Sequence, residues 1–194
     1  MIEEYTEHPK WTYKPIEIEN LEEIQNELTH VLYKEMPDFL TASPQFLYVL
    51  RGRIEPHAPL YTKFIESLGL LDRWLYSALI TTNNNEPFPI HVDSLNWKTR
   101  CYGLNLPLVN CAGTYTVFYD ADINAEQFTD VSDPINSARV IQEGVTATEI
   151  DRYETVIPAW VNTRIPHAPV STHGMPRALI SARFKPELHD ILYK

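Results

Sequence analysis

Apolar positions along the chain change their period near residue 73. Before that point they recur every three or four residues, and after it they alternate. Ile18, Leu21, Ile24, Leu28, Val31 and Leu32 form one helical stripe. Asn20 followed by Glu23 reads as a capping box at its start, and Pro37 closes it. Ser43-Pro44 opens a second, shorter helix, with Ser as cap and Pro in the first turn. A third is predicted from Pro59 to Leu68, with Leu60, Phe64 and Leu68 on one face and Gly69 as its stop.

The later segments read as strands. RWLYSALITT (73–82) ends at the turn signal Asn83-Asn84-Asn85. FPIHVD, KTRCYGLNLPL, GTYTVFYDA, ATEIDRYETV, AWVNTRI and RALISARF follow, mostly separated by Pro, Gly, Asn or Asp. Residues 120–138 are polar, contain Asp133-Pro134, and read as a loop with one helical turn. Helices first and short strands afterwards predict a mainly β fold, a sandwich or jelly roll with a helical N-terminal layer on one sheet. The chain reads as one domain: 1–72 as helical support, 73–184 as the β core and 185–194 as a tail.

The overall charge narrows the function. A net charge of −10 opposes non-specific binding to nucleic acid and to anionic membrane surfaces. Two cysteines, Cys101 and Cys111, are too few for a disulfide scaffold and show no metal spacing, which fits a reducing compartment. The start MIEEYTEHPK lacks a signal-peptide pattern, and no apolar run reaches spanning length, so a cytoplasmic location is expected.

Candidate chemistry concentrates in PIHVDSLNWKTRCYGLNLPL (89–108). In a strand, residues i and i+2 face the same side, so His91 and Asp93 point together and Val92 points away. An imidazole and a carboxylate so placed can fill two adjacent positions on a metal, and a second His completes a 2-His-1-carboxylate triad. His8, His30, His57, His167, His173 and His189 are the available partners. His167 stands apart, following AWVNTRI and preceding Arg177 by ten residues.

His-x-Asp, a long gap, a second His and an Arg ten residues on, in a strand-rich region behind helices, resembles the iron(II)/2-oxoglutarate-dependent oxygenases. The resemblance covers residues 73–184 and implies a cupin-like jelly roll, the double-stranded β-helix. It implies His91, Asp93 and His167 as iron ligands, and Arg177 as the anchor for the distal carboxylate of 2-oxoglutarate. Dioxygen would be the further co-substrate, and a C–H bond of a peptide side chain or small molecule the target. Arg100, nine residues after His91, is similar to the first Arg of the aspartyl/asparaginyl β-hydroxylase branch, which also contacts the co-substrate; prolyl-hydroxylase-like branches are a further comparison. The aspartyl/asparaginyl β-hydroxylase branch can lack the acid ligand, whereas Asp93 is present here. Some oxygenases place Ser two residues after the anchor; here that residue is Leu179, and Ser181 shares Arg177's face by parity.

Physical logic supports these roles. A carboxylate is best held by a planar, bidentate donor, which Arg supplies and Lys does not. Arg100, Tyr102, Leu104, Leu106 and Leu108 share one parity, predicting a strand whose barrel-facing side is polar near the metal and apolar deeper in. Tyr102 and Asn110 are candidate hydrogen-bonding groups, and Trp97 a candidate substrate-facing aromatic. Other readings stay open. His173 competes with His167 and Arg183 with Arg177, while an isolated His-x-Asp is most simply a loop hydrogen-bond network. A cupin-like metal enzyme that does not use 2-oxoglutarate and a non-enzymatic jelly-roll module are the alternatives in function.

Overall fold

The computed structural model describes residues 11–38, 40, 47–49, 54–82, 88–93, 102–121, 128–130, 138–141 and 145–184. Its helices follow the apolar spacing. Helix α1 (Leu21–Glu35) buries Ile24, Leu28, Val31 and Leu32 along one stripe. Its start departs from the expected capping box. Asn20 has φ 60°, and its side chain makes no capping hydrogen bond. Asn tolerates left-handed backbone, so it acts here as a turn residue. Its carbonyl still accepts the N–H of Ile24.

Helix α2 (Pro59–Ser67) buries Tyr61, Phe64 and Ile65, while Leu60 is 40% exposed. Its inward face is thus one position off the predicted one. Glu27 of α1 explains the fixed placement, because its carboxylate accepts the Leu60 and Tyr61 N–H groups at 3.0 Å each. An anion on those orphan donors also favours the positive end of the helix. Gly69 follows, with φ +69°, as the expected stop. The predicted Ser43-Pro44 helix start lies outside the described residues. Leu47–Val49, just beyond it, is a strand.

Among the described residues twelve strands form two six-stranded antiparallel sheets. They are β1 (Tyr13–Pro15), β2 (Leu47–Val49), β3 (Trp74–Thr82), β4 (His91–Asp93), β5 (Tyr102–Val109) and β6 (Thr114–Ala121). β7 (Phe128–Asp130), β8 (Ala138–Ile141), β9 (Ala147–Glu154), β10 (Ala159–Asn162), β11 (His167–Ser171) and β12 (Arg177–Phe184) complete the set. The first sheet has the order β1-β10-β5-β12-β3-β2, and the second β7-β8-β4-β11-β6-β9. The architecture is a double-stranded β-helix with a helical layer. The N-terminal region adds both edge strands of the first sheet, and β7 lies in the segment expected to be a loop.

The helices cover the outer face of the first sheet. Ile24, Leu28, Leu32, Tyr61, Phe64 and Ile65 share one core with Leu79, Tyr102, Leu104, Leu106, Trp160, Ile180 and Phe184. Leu28, Leu32 and Ile65 are fully buried, and each contributes about 2 kcal/mol by leaving water. Gln25 of α1 pins the layer by donating to the Pro107 carbonyl of β5 at 2.7 Å. Tyr102, Leu104 and Leu106 therefore face the helices, which corrects the expectation that they line the barrel. The barrel-facing parity of β5 holds Gly103 and Asn105. A smaller cluster of Phe118, Tyr153, Ala159 and Val161, with Tyr13 and Ile165 against it, fills part of the interior. No helix among the described residues is long and apolar enough to cross a membrane.

Candidate metal centre

Strand register builds the site. β4 and β11 are antiparallel neighbours, and His91 stands directly opposite His167. Opposite residues of a strand pair put their side chains on one face, close together. The two imidazole centroids are 4.5 Å apart. Asp93 joins them from two residues along β4. Its Oδ1 lies 3.5 Å from His91 Nε2 and 4.0 Å from His167 Nε2. The three ligand atoms all fall within 4.8 Å of one another. This is the only such group of His, Cys, Asp or Glu among the described residues.

Both rings are fixed by the same local device. His91 Nδ1 lies 2.9 Å from the Pro89 carbonyl, and His167 Nδ1 lies 2.8 Å from the Ile165 carbonyl, each two residues upstream. A carbonyl only accepts, so each Nδ1 carries a proton and each Nε2 is the ring atom turned to the shared space, where an ion would take its lone pair. Burial, with His91 alongside, pushes the His167 pKa down to about 4, which keeps it neutral as a ligand must be.

Asp93 is held from its other oxygen. Arg183 Nη2 lies 2.8 Å from Oδ2, leaving Oδ1 toward the imidazoles. Burial alone would raise the carboxyl pKa. The Arg183 charge and the two His side chains outweigh it and hold the group well below the usual carboxylate range. Two imidazole nitrogens and one monodentate carboxylate, converging from one side, suit a divalent transition ion with open positions opposite.

Arg177 sits on the same face of β12, at its first residue. It is 2% exposed, its Nε has no partner, and its Nη1 lies 3.5 Å from Thr155 Oγ1. Burial pushes its pKa down. A guanidinium this buried, with no ion-pair partner among the described residues, fits the carboxylate of a bound anion. Between the two arginines, Ser181 Oγ donates to Asn105 Oδ1 at 2.5 Å, and Asn105 Nδ2 donates to the Tyr153 hydroxyl at 3.0 Å. Tyr153 stacks on Tyr13 at 4.8 Å, and Phe118 packs 6.2 Å from the His167 ring. Gly103, Asn105 and Tyr153 escape the sequence reading. The signal that finds them is the opposite parity of β5, once the helices are seen to claim Tyr102.

The remaining candidates fall elsewhere. Tyr102 packs its ring 5.4 Å from Trp11, within the helix-facing core. His173 ties a turn to a loop, its Nε2 2.7 Å from the Ala112 carbonyl and its Nδ1 accepting the Met175 N–H. Asn110 Nδ2 donates to the Pro176 carbonyl. Cys111 is a buried free thiol donating to the Ala178 carbonyl at 3.2 Å, and burial pushes its pKa up. His30 and His57 are exposed. Arg100, Trp97, Cys101, His8 and His189 lie outside the described residues.

No protein-family model matches the chain, and no curated protein matches it in sequence. Solved structures do match. The non-heme alpha-ketoglutarate-dependent epimerase SnoN from nogalamycin biosynthesis superposes with a TM-score of 0.52 at 12% identity, over 90% of this chain and 78% of SnoN. The non-heme alpha-ketoglutarate-dependent carbocyclase SnoK of the same biosynthesis gives 0.54 at 12% identity, over 89% and 79%. A SnoN complex with Fe3+, alpha-ketoglutarate and nogalamycin RO gives 0.53 at 12% identity, over 90% and 78%. At this identity the likeness establishes the shared fold.

Proposed function

We propose that this chain is a non-haem iron(II) oxygenase that uses 2-oxoglutarate and dioxygen to oxidise a C–H bond of a peptide side chain or a small molecule. One observation carries the reading. His91 Nε2, His167 Nε2 and Asp93 Oδ1 converge in the barrel whose interior also holds a buried Arg177 with an unpaired Nε. Iron would be held by the first three and would supply oxygen activation. Arg177 would take the distal carboxylate of the co-substrate, with Thr155 beside it. Asn105, Ser181 and Tyr153 would form the polar wall between. The names of SnoN and SnoK, alpha-ketoglutarate-dependent enzymes of the same fold, support this choice of co-substrate.

Anaerobic titration with iron(II), then with 2-oxoglutarate, tests the reading through the weak visible charge-transfer band that such a chelate gives. The band is expected in the native protein, absent in His167→Ala, and shifted to at least about tenfold higher 2-oxoglutarate concentration in Arg177→Gln. Iron binding without the band would favour a metal enzyme that does not use 2-oxoglutarate. No iron binding would remove the metal reading altogether.

A further inference from the structure

His173 takes no part in the metal centre, yet both of its ring nitrogens are engaged. It lies half-buried in the turn between β11 and β12, four residues before Arg177. The Met175 N–H donates to its Nδ1 at 3.3 Å, so Nδ1 offers a lone pair there. Nε2 lies 2.7 Å from the Ala112 carbonyl, which only accepts, so Nε2 carries the proton. The neutral ring alone meets both contacts. A second proton, on Nδ1, would set donor against donor and break the bond from Met175.

Contacts on both sides of His173 extend the clasp. The Thr172 N–H and hydroxyl donate to the Gly113 carbonyl at 3.0 and 2.8 Å. Asn110 Nδ2 donates to the Pro176 carbonyl at 2.8 Å, and Cys111 Sγ to the Ala178 carbonyl at 3.2 Å. Residues 110–113 therefore hold the chain immediately before and after Arg177. Thr155 Oγ1 completes the link, donating to the Cys111 carbonyl at 3.3 Å and lying 3.5 Å from Arg177 Nη1. The loop is shaped for this close approach. Asn110 and Gly113 are left-handed, with φ 52° and +69°, and a Cβ on Gly113 would lie 2.8 Å from Thr172 Oγ1 and 3.4 Å from His173 Cδ2. Arg177 is the first residue of β12, so the turn before it sets where its side chain begins.

We propose that His173 is a positioning residue for Arg177: its neutral ring fastens the β11–β12 turn to residues 110–113, and its protonation frees the turn and lets the guanidinium shift. The consequence for binding rests on the reading of Arg177 as the co-substrate anchor. Acidification then weakens 2-oxoglutarate binding by moving that anchor. Among the described residues, the titratable and charged groups on the elements packed against the clasp are Glu154, Tyr153 and Arg152 on β9, Tyr115 on β6, Cys111 and Arg177. Glu154 is the carboxylate of this set, with Oε1 accepting the Gly113 N–H at 2.8 Å, so it is the control.

Two readouts on the zinc-saturated protein, at pH 7.5 and pH 5.5, test the proposal. One is calorimetric affinity for 2-oxoglutarate. The other is the nuclear magnetic resonance signal of the buried Arg177 Nε–H, assigned by its loss in Arg177→Lys. In the native protein, binding is expected to be about fivefold weaker at pH 5.5, with the Arg177 signal moving in step with the His173 ring signals. His173→Gln can make both contacts without titrating, and is expected to bind tightly at both pH values. His173→Leu makes neither, and is expected to bind about fivefold more weakly at both. Glu154→Gln is expected to keep the native pH dependence. The same pH dependence in His173→Gln as in the native protein overturns the proposal, as does an Arg177 signal that stays fixed while His173 titrates. An Arg177 signal that follows His173, in a protein that binds no 2-oxoglutarate at either pH, sustains the positioning role and defeats the oxygenase reading instead.

Discussion

β12 is buried along all eight residues, yet its two faces are built from different chemistry. Ala178, Ile180, Ala182 and Phe184 join the helices in a continuous apolar core. Arg177, Leu179, Ser181 and Arg183 look into the barrel. The first face has no polar side chain to satisfy. The second holds two guanidinium groups and leaves Arg177 Nε and Arg183 Nη1 without partners. Stability and chemistry are thus separated by residue parity within one strand. An interior this polar cannot act as the main core, so α1 and α2 supply one on the other side of the same sheet.

Phe184→Ala tests the apolar face most severely. Truncating this fully buried ring is expected to lower stability by about 4 kcal/mol in chemical denaturation, with metal affinity of the folded protein unchanged. Asp93→Ala is the corresponding break on the polar face. It is expected to abolish metal binding and to cost about 3 kcal/mol, because Arg183 is left as an uncompensated buried charge. Adding Arg183→Met should restore most of that stability and none of the metal binding. If Asp93→Ala is as stable as the native protein, the two faces are not energetically distinct in this way. Arg177→Met should have the smallest effect on stability and the opposite sign. It is expected to raise stability by about 1 kcal/mol in thermal or urea denaturation while weakening 2-oxoglutarate binding.

The same parity explains what the sequence can convey. His91 and Asp93 are readable as a same-face pair because strand alternation is local. Alternation says which residues share a face, but not which way that face looks. Parity groups Tyr102, Leu104 and Leu106 on one face without aiming that face: the apolar side of β5 belongs to the helices, which pack from far away in the chain. Leu60 shows the same limit on α2, where the Glu27 carboxylate of another helix sets the rotation. β11 is hard to see because Pro169 interrupts an already short apolar segment. The pairing of Arg183 with Asp93 crosses between the two sheets, and no local spacing announces such a contact. Asn20 has the right residue type for a cap but takes a left-handed turn instead, a choice made by the backbone.

The seam between β4 and β11 has a mechanical consequence. Among the described residues, His91 opposite His167 is the one register pair that joins these strands, although β6 and β8 flank them with longer ladders. An ion gripped by both Nε2 atoms would therefore be a rivet in the wall as well as a reagent within it. It would close the weakest join of its sheet and bind together stretches of chain that are distant in sequence. In such a barrel, filling the site would also fasten the wall, and emptying it would loosen the seam.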